Sequence, residues 1–168
     1  YRFKPTRSVR KARLRQSDQG VFSNSTAEPL YGDTYLPRKF KVAVTVPGDN
    51  SVDLLTQDIG LVVFTDPSGE LRGCNVYVGG GMGRTHNQDD TFARLAEPLG
   101  YVEASELFDL LQSIMAVQRD FGDREVRKHA RLKYLMHNRG MAWFKQTLKD
   151  HYFKAVSYTH LTLPTSPK

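Results

Sequence analysis

Leu61-Val62-Val63-Phe64-Thr65-Asp66-Pro67-Ser68-Gly69-Glu70-Leu71-Arg72-Gly73-Cys74-Asn75-Val76-Tyr77-Val78 decides the fold class. Two runs rich in β-branched and aromatic residues flank Asp66-Pro67-Ser68-Gly69, which carries Pro and Gly where a turn uses them. Residues 61–78 therefore predict a β-hairpin. Upstream, Phe40, Val42, Val44 and Val46 alternate with Lys39, Lys41, Ala43 and Thr45. That period of two predicts a half-buried strand with Phe40 and Val42 turned inward, ended by Pro47-Gly48-Asp49-Asn50. Downstream the period lengthens. Ser105 is placed to cap a helix carrying Leu107, Leu110, Leu111, Ile114 and Met115. Past Phe121-Gly122-Asp123, a basic helix over about residues 124–137 turns Val126, Ala130, Tyr134 and Met136 inward, and Asn138-Arg139-Gly140 stops it. A third helix carries Phe144, Leu148 and Tyr152. Strands followed by helices predict an α+β fold: a mainly antiparallel sheet with helices packed on one face.

The 168 residues suit one domain or one lobe of something larger. At 39% apolar they can build a core. No apolar run approaches the ~18 residues of a spanning helix, which argues against an integral membrane protein. Cys74 is the only cysteine. This excludes an internal disulfide framework, and any metal or iron–sulfur site built from several thiolates of this chain alone. Tyr1-Arg2-Phe3-Lys4 opens neither a signal peptide nor a Met-initiated chain, so the sequence reads as a fragment. Residues 1–30, basic and then polar, read as an arm or linker. Residues 31–154 carry the periodic signals. Residues 156–168, rich in Thr, Ser, Leu and Pro, continue no helical pattern and read as a non-native tail.

The net charge of +6 is unevenly spread. Residues 1–15 hold seven Arg or Lys and no acid, and residues 119–149 hold nine basic residues against Asp120, Asp123 and Glu125. Such a balance suits an anionic ligand, an acidic protein or nucleic acid, or else a solvated basic surface. Lys39 and Lys41 lie two apart on the predicted strand, so both point to one face, roughly 6.5–7 Å apart. They form either a clamp for a small anion or the polar face of an ordinary strand. Gly79-Gly80-Gly81-Met82-Gly83-Arg84 lets backbone approach a ligand closely, or makes a wide turn. It is neither a phosphate loop nor a dinucleotide fingerprint, since no Gly-Lys-Ser/Thr and no βαβ unit accompany it. Arg124, Arg127, Lys128 and Arg131 fall on one face of the predicted basic helix. Nucleic-acid binding is the rival reading there, weakened by poor aromatic interleaving. Cys74 on its strand reads as a buried, inert thiol. His86, His129 and His137 show no metal-ligand spacing.

Several stretches together resemble the siroheme nitrite and sulfite reductases, specifically the ferredoxin-dependent assimilatory sulfite reductases of cyanobacteria and plastids. They are Leu36-Pro37-Arg38-Lys39-Phe40-Lys41, Val44 to Leu54, Asn75 to His86, Thr91 to Pro98, Gln118-Arg119-Asp120 and Arg127 to Tyr134. The resemblance implies siroheme bridged to a four-iron cluster (4Fe-4S) through a cysteine thiolate, with ferredoxin as the donor for six-electron reduction of sulfite to sulfide. It assigns Lys39 and Lys41 to the binding of sulfite oxygens and the delivery of protons. Arg38 and Arg131 match positions facing siroheme carboxylates or the pocket. Gly79, Gly80 and Gly81 match backbone packed close to siroheme, with Arg84 beside them. Siroheme carries eight carboxylates, so a cradle of Lys and Arg suits it. The related nitrite reductases tend to carry Asn where Lys41 stands, so Lys41 favours sulfite. The cluster cysteines lie outside this chain, which therefore reads as a middle piece: an incomplete siroheme-binding lobe, inactive alone, with some core surface exposed. The family implies a bacterial cytoplasm or a plastid stroma.

Overall fold

The computed structural model describes residues 30–152. The arm expected over residues 1–30, all but its last residue, and the tail expected over 156–168 lie outside them. Four strands form one sheet in the order β1-β2-β3-β4: β1 Val42–Thr45, β2 Ile59–Thr65, β3 Leu71–Val78 and β4 Glu97–Glu103. β2 and β3 are the hairpin, in antiparallel register from Ile59↔Val78 to Thr65↔Leu71. Its turn is closed as the residue types require. Asp66 Oδ1 accepts the Ser68 and Glu70 amides at 2.8 and 3.0 Å, and Gly69 takes φ 90°. β4 pairs antiparallel with β3, and β1 pairs parallel with β2, so the sheet is mixed, with one parallel pair. β4 is a strand that the sequence reading missed: Pro98 and Gly100 interrupt its apolar pattern.

Two helices cover one face of the sheet. α1 runs Leu107–Phe121 and buries Leu107, Leu110, Ile114 and Val117. Those residues join Ile59, Leu61, Cys74, Val76, Val78, Leu99 and Val102 of the sheet in one core. Ser105 does not cap this helix. A single 3-10 turn, Ala104–Glu106, precedes it, and Glu106 at the N-cap makes no side-chain bond. α2, Leu132–Thr147, contributes Leu132, Leu135, Met136 and Phe144 to the same core. It is two helical pieces joined at Gly140, whose φ of 80° and ψ of 163° break the helical path where Asn138-Arg139-Gly140 was expected to end it.

Two expectations are corrected. Residues 124–131 are not helical apart from a 3-10 turn at Arg127–His129. Asp123 Oδ1 accepts the amides of Glu125 and Val126 at 2.9 and 2.8 Å, an N-cap pattern that only the short turn at Arg127–His129 follows. Val126, expected inside, is 43% exposed. Nor does β1 bury its valines: Val42 and Val44 are 48% and 52% exposed, and Val46 beyond the strand 52%. Phe40 is half-buried against the core. Burial alternates the other way, with Ala43 half-buried and Thr45 buried. Val42 and Val44 are in register with Ile59 and Leu61 and so share the helical face of the sheet. Both helices, however, pack nearest β4, at the opposite edge, and leave the β1 end uncovered.

Candidate functional site

Separate stretches of chain converge on one cleft of about 410 Å³. Arg38, Lys39 and Lys41 arrive just ahead of β1, which begins at Val42 rather than at Lys39 as the alternation suggested. Met82, Gly83 and Thr85 come from the loop after β3. Arg127, Lys128 and Arg131 come from the segment before α2, and Lys133 and Tyr134 from its first turn. Thr56 completes the wall. Of these twelve lining residues seven are cationic and none is acidic, which makes the cleft a receptor for anions.

Each cation is held differently. Lys39 and Lys41 are exposed to the cleft. Arg131 is mostly buried and donates from Nη2 to Asp58 Oδ2 at 2.9 Å. Lys133 is 1% exposed. Its ammonium donates to the carbonyls of Gly81 at 3.2 Å, Gly83 at 2.6 Å and Phe92, and lies 4.9 Å from the centre of the Tyr134 ring. Burial, and then the positive charge of Arg131, push its pKa below the ordinary lysine value. Lys128 donates to the Gln88 side chain, and His129 Nε2 meets Asp90 Oδ2 at 3.0 Å, so both are tied to the loop that follows Arg84.

The glycine run lies under the cleft rather than on its wall. Added Cβ atoms would collide with Met136 and Arg94 at Gly79, with the Leu55 and Gln57 carbonyls at Gly80, and with the Arg131 guanidinium at Gly81. The close approach these glycines permit is thus to the protein itself, and at Gly81 it seats Arg131. Arg84 is not a lining residue. It pairs with Asp89 at 3.3 Å on the surface. Arg124, expected to share a helical face with Arg127, Lys128 and Arg131, instead donates to the carbonyls of Thr34, Tyr35 and Arg119. It fastens residues 34 and 35 to the end of α1, and the single helical face on which the nucleic-acid reading rested does not form.

Asp58 and Thr56 escaped the sequence reading, and Lys133 stood in it only as one member of the basic stretch, with no role at the site. Both charged ones carried a signal. Asp58 immediately precedes the apolar Ile59-Gly60-Leu61, and Lys133 sits inside Leu132-Lys133-Tyr134-Leu135-Met136. A charge embedded in a buried run must have a partner.

A mixed sheet with helices on one face, carrying a cationic cleft between the approach to β1 and the start of α2, is the architecture of a described family. The chain belongs to the nitrite and sulphite reductase 4Fe-4S domain family, whose model matches residues 18–156. It is 59% identical over 143 residues to a ferredoxin sulfite reductase of Synechococcus elongatus, which takes in 85% of this chain and 23% of that protein. It is 49% identical over 128 residues to the NADPH sulfite reductase subunit beta of Saccharomyces cerevisiae, 76% of this chain and 9% of that one. The solved structure of the Mycobacterium tuberculosis NirA protein superposes with a TM-score of 0.60 at 29% identity, over 79% of this chain and 22% of that chain. The chain thus spans less than a quarter of the length of each.

The donor sets can be tested against the groups this family implies. Cys74 is fully buried, burial pushes its thiol pKa up, and among the described residues no group of three or more His, Cys, Asp or Glu could hold a metal ion. The residues present do not fit a four-iron cluster. The seven lining cations do fit a polycarboxylate such as siroheme. No helix among the described residues is long and apolar enough to cross a membrane.

Proposed function

We propose that this segment supplies the cationic wall of a sulfite reductase active site, holding sulfite and the carboxylates of siroheme. The observation that carries the reading is the convergence of seven cations and no acid on one cleft. Lys39 and Lys41, exposed there as paired ammonium groups, hold sulfite oxygens and give up protons as oxygen leaves as water. Arg38, Arg131, Arg127 and Lys128 meet siroheme carboxylates, for which the guanidinium fork is well shaped. Bound siroheme would supply the redox iron. The ligands of the iron–sulfur cluster come from outside this chain. Ferredoxin is the electron donor, supported by 59% identity to a ferredoxin-type relative against 49% to an NADPH-type one. A bacterial cytoplasm or a plastid stroma suits that donor.

An absorbance titration of siroheme into the chain at low and high salt tests the reading. Binding should weaken as the Debye length falls from ~10 Å at 0.1 M to ~3 Å at 1 M, and again in the double variant Arg38→Met/Arg127→Met. Binding indifferent to both changes overturns it. Iron and acid-labile sulfide should stay far below one cluster per chain after anaerobic reconstitution. A stoichiometric cluster overturns the assignment of its ligands to other residues.

A further inference from the structure

Beneath the cleft lies a carboxylate that none of its proposed roles uses. Asp58 directly precedes β2 and is 0% exposed. Its Oδ2 accepts two hydrogen bonds, from the Lys41 backbone N–H at 3.0 Å and from Arg131 Nη2 at 2.9 Å. Lys41 and Arg131 are far apart in sequence and reach the cleft from different segments, one ahead of β1 and one ahead of α2. One oxygen therefore joins them. The joint is braced from behind: the Ile59 amide donates to the Lys41 carbonyl at 3.0 Å, and the Gly79 amide donates to the Asp58 carbonyl at 2.9 Å. Arg131 also rests on Gly81, where any Cβ would displace it.

The rest of the pair is unspent. Asp58 Oδ1 and Arg131 Nε are both buried with no hydrogen-bond partner among the described residues. They are the missing half of a two-bond fork. A carboxylate buried only for packing would be replaced by an apolar residue at little cost or at a gain, and one serving only to neutralise Arg131 would close the fork. A single shared oxygen does neither. It aligns two donors.

We propose that Asp58 is the positioning residue of the cleft, setting Lys41 and Arg131 so that both meet one anion. This rests on the anion-binding reading above. Asp58 touches no ligand and acts through its two partners. The alternative roles give a change of opposite sign. A residue that merely contributes negative charge weakens anion binding, so removing its charge tightens it. A positioning residue, when neutralised or moved, loosens it.

Inorganic sulfite is the probe, titrated into the 168-residue chain while ¹⁵N resonances of the Lys41 amide and the Arg131 Nε–H are followed. In the unaltered chain the two should move together with one dissociation constant. Asp58→Asn keeps an acceptor for the Lys41 amide but removes the ion pair, and Asp58→Glu keeps the charge but shifts it by one methylene. Each should raise the dissociation constant about tenfold or more, the worth of one charge-assisted contact. In Asp58→Asn the Lys41 amide should stay near its wild-type position while Arg131 Nε–H moves to that of a free guanidinium. Sulfite binding that is equal or tighter in either variant overturns the proposal. So do separate constants for Lys41 and Arg131 in the unaltered chain, a result that needs no variant to fold. Absence of any sulfite response in the unaltered chain overturns the anion-binding reading itself, and this proposal with it.

Discussion

Replacing Lys133 by Met tests whether the glycine loop is held by a charge. Lys133 Nζ donates to three carbonyls, those of Gly81, Gly83 and Phe92, and it is almost wholly buried. Methionine fills nearly the same volume against the Phe92 and Tyr134 rings, so packing changes little. What changes is polar. Three bonds from a charged donor are worth about 1.5–3 kcal/mol each, and the variant leaves three carbonyls without that donor. Against this, the wild type incurs several kcal/mol for burying an ammonium, which the variant avoids. The difference should be a net loss of about 2–4 kcal/mol. For a folded region of this size that lowers Tm by roughly 10–15 °C. Thermal melting followed by circular dichroism measures it. Hydrogen exchange then locates it: the Gly81 and Arg94 amides, which bond to each other's carbonyls across the loop, should lose protection first. A methionine variant that melts within about 2 °C of wild type, with those amides still protected, would show that the loop holds itself and that the ammonium is incidental.

Lys41→Asn in a full-length reductase carrying this segment should cut sulfite turnover by about 10²–10³, the usual effect of losing one preorganised donor. It should cut nitrite turnover less, because nitrite has fewer oxygens and less charge to hold; equal losses in steady-state kinetics would show that Lys41 does not discriminate. Tyr152→Phe should cost about 1 kcal/mol at pH 7, since the Tyr152 hydroxyl donates to Asp120 Oδ2 at 2.6 Å near the surface. Burial and then the Asp120 carboxylate push the Tyr152 pKa above that of a free phenol. A raised folded pKa gives stability that is complete below the unfolded value of about 10 and lost only above it. The gap between wild type and variant in urea denaturation should therefore stay constant from pH 7 to about 9.5, and a gap that shrinks across that range would contradict the bond.

The hairpin, the α1 core stripe and the cationic cluster were legible because each is a local pattern. Turn chemistry places Asp66 and Gly69, a spacing near 3.6 places Leu107, Leu110 and Ile114, and charge counting finds Lys39, Lys41 and Arg131. What was not legible depends on neighbours far along the chain. The basic run 124–131 has helical spacing, but Arg124 finds carbonyls at Thr34 and Tyr35 some 90 residues away. The valines of β1 alternate, but periodicity says nothing of which strand is the edge or where the helices stop, and the valine face is the exposed one. Asp58 was passed over, and Lys133 was given no role at the site, because a charge in an apolar run reads as noise until its partner is known.

Those two buried charges explain how a cleft of seven cations can be folded at all. Like charges gathered at one site repel, and nothing in the cleft wall offsets them. The compensation comes from below. Asp58 takes up Arg131, three backbone carbonyls and an aromatic face take up Lys133, and Gln88 takes up Lys128. Among the described residues the Lys39 and Lys41 ammonium groups make no side-chain hydrogen bond or ion pair, and both line the cleft. Arg131, Lys133 and Lys128 are thus anchored by the chain, while Lys39 and Lys41 are left wholly to a ligand. A site arranged for stability alone would have closed the Asp58–Arg131 fork and placed acids beside Lys39 and Lys41. Leaving two ammonium groups bare is the arrangement that an incoming polyanion completes.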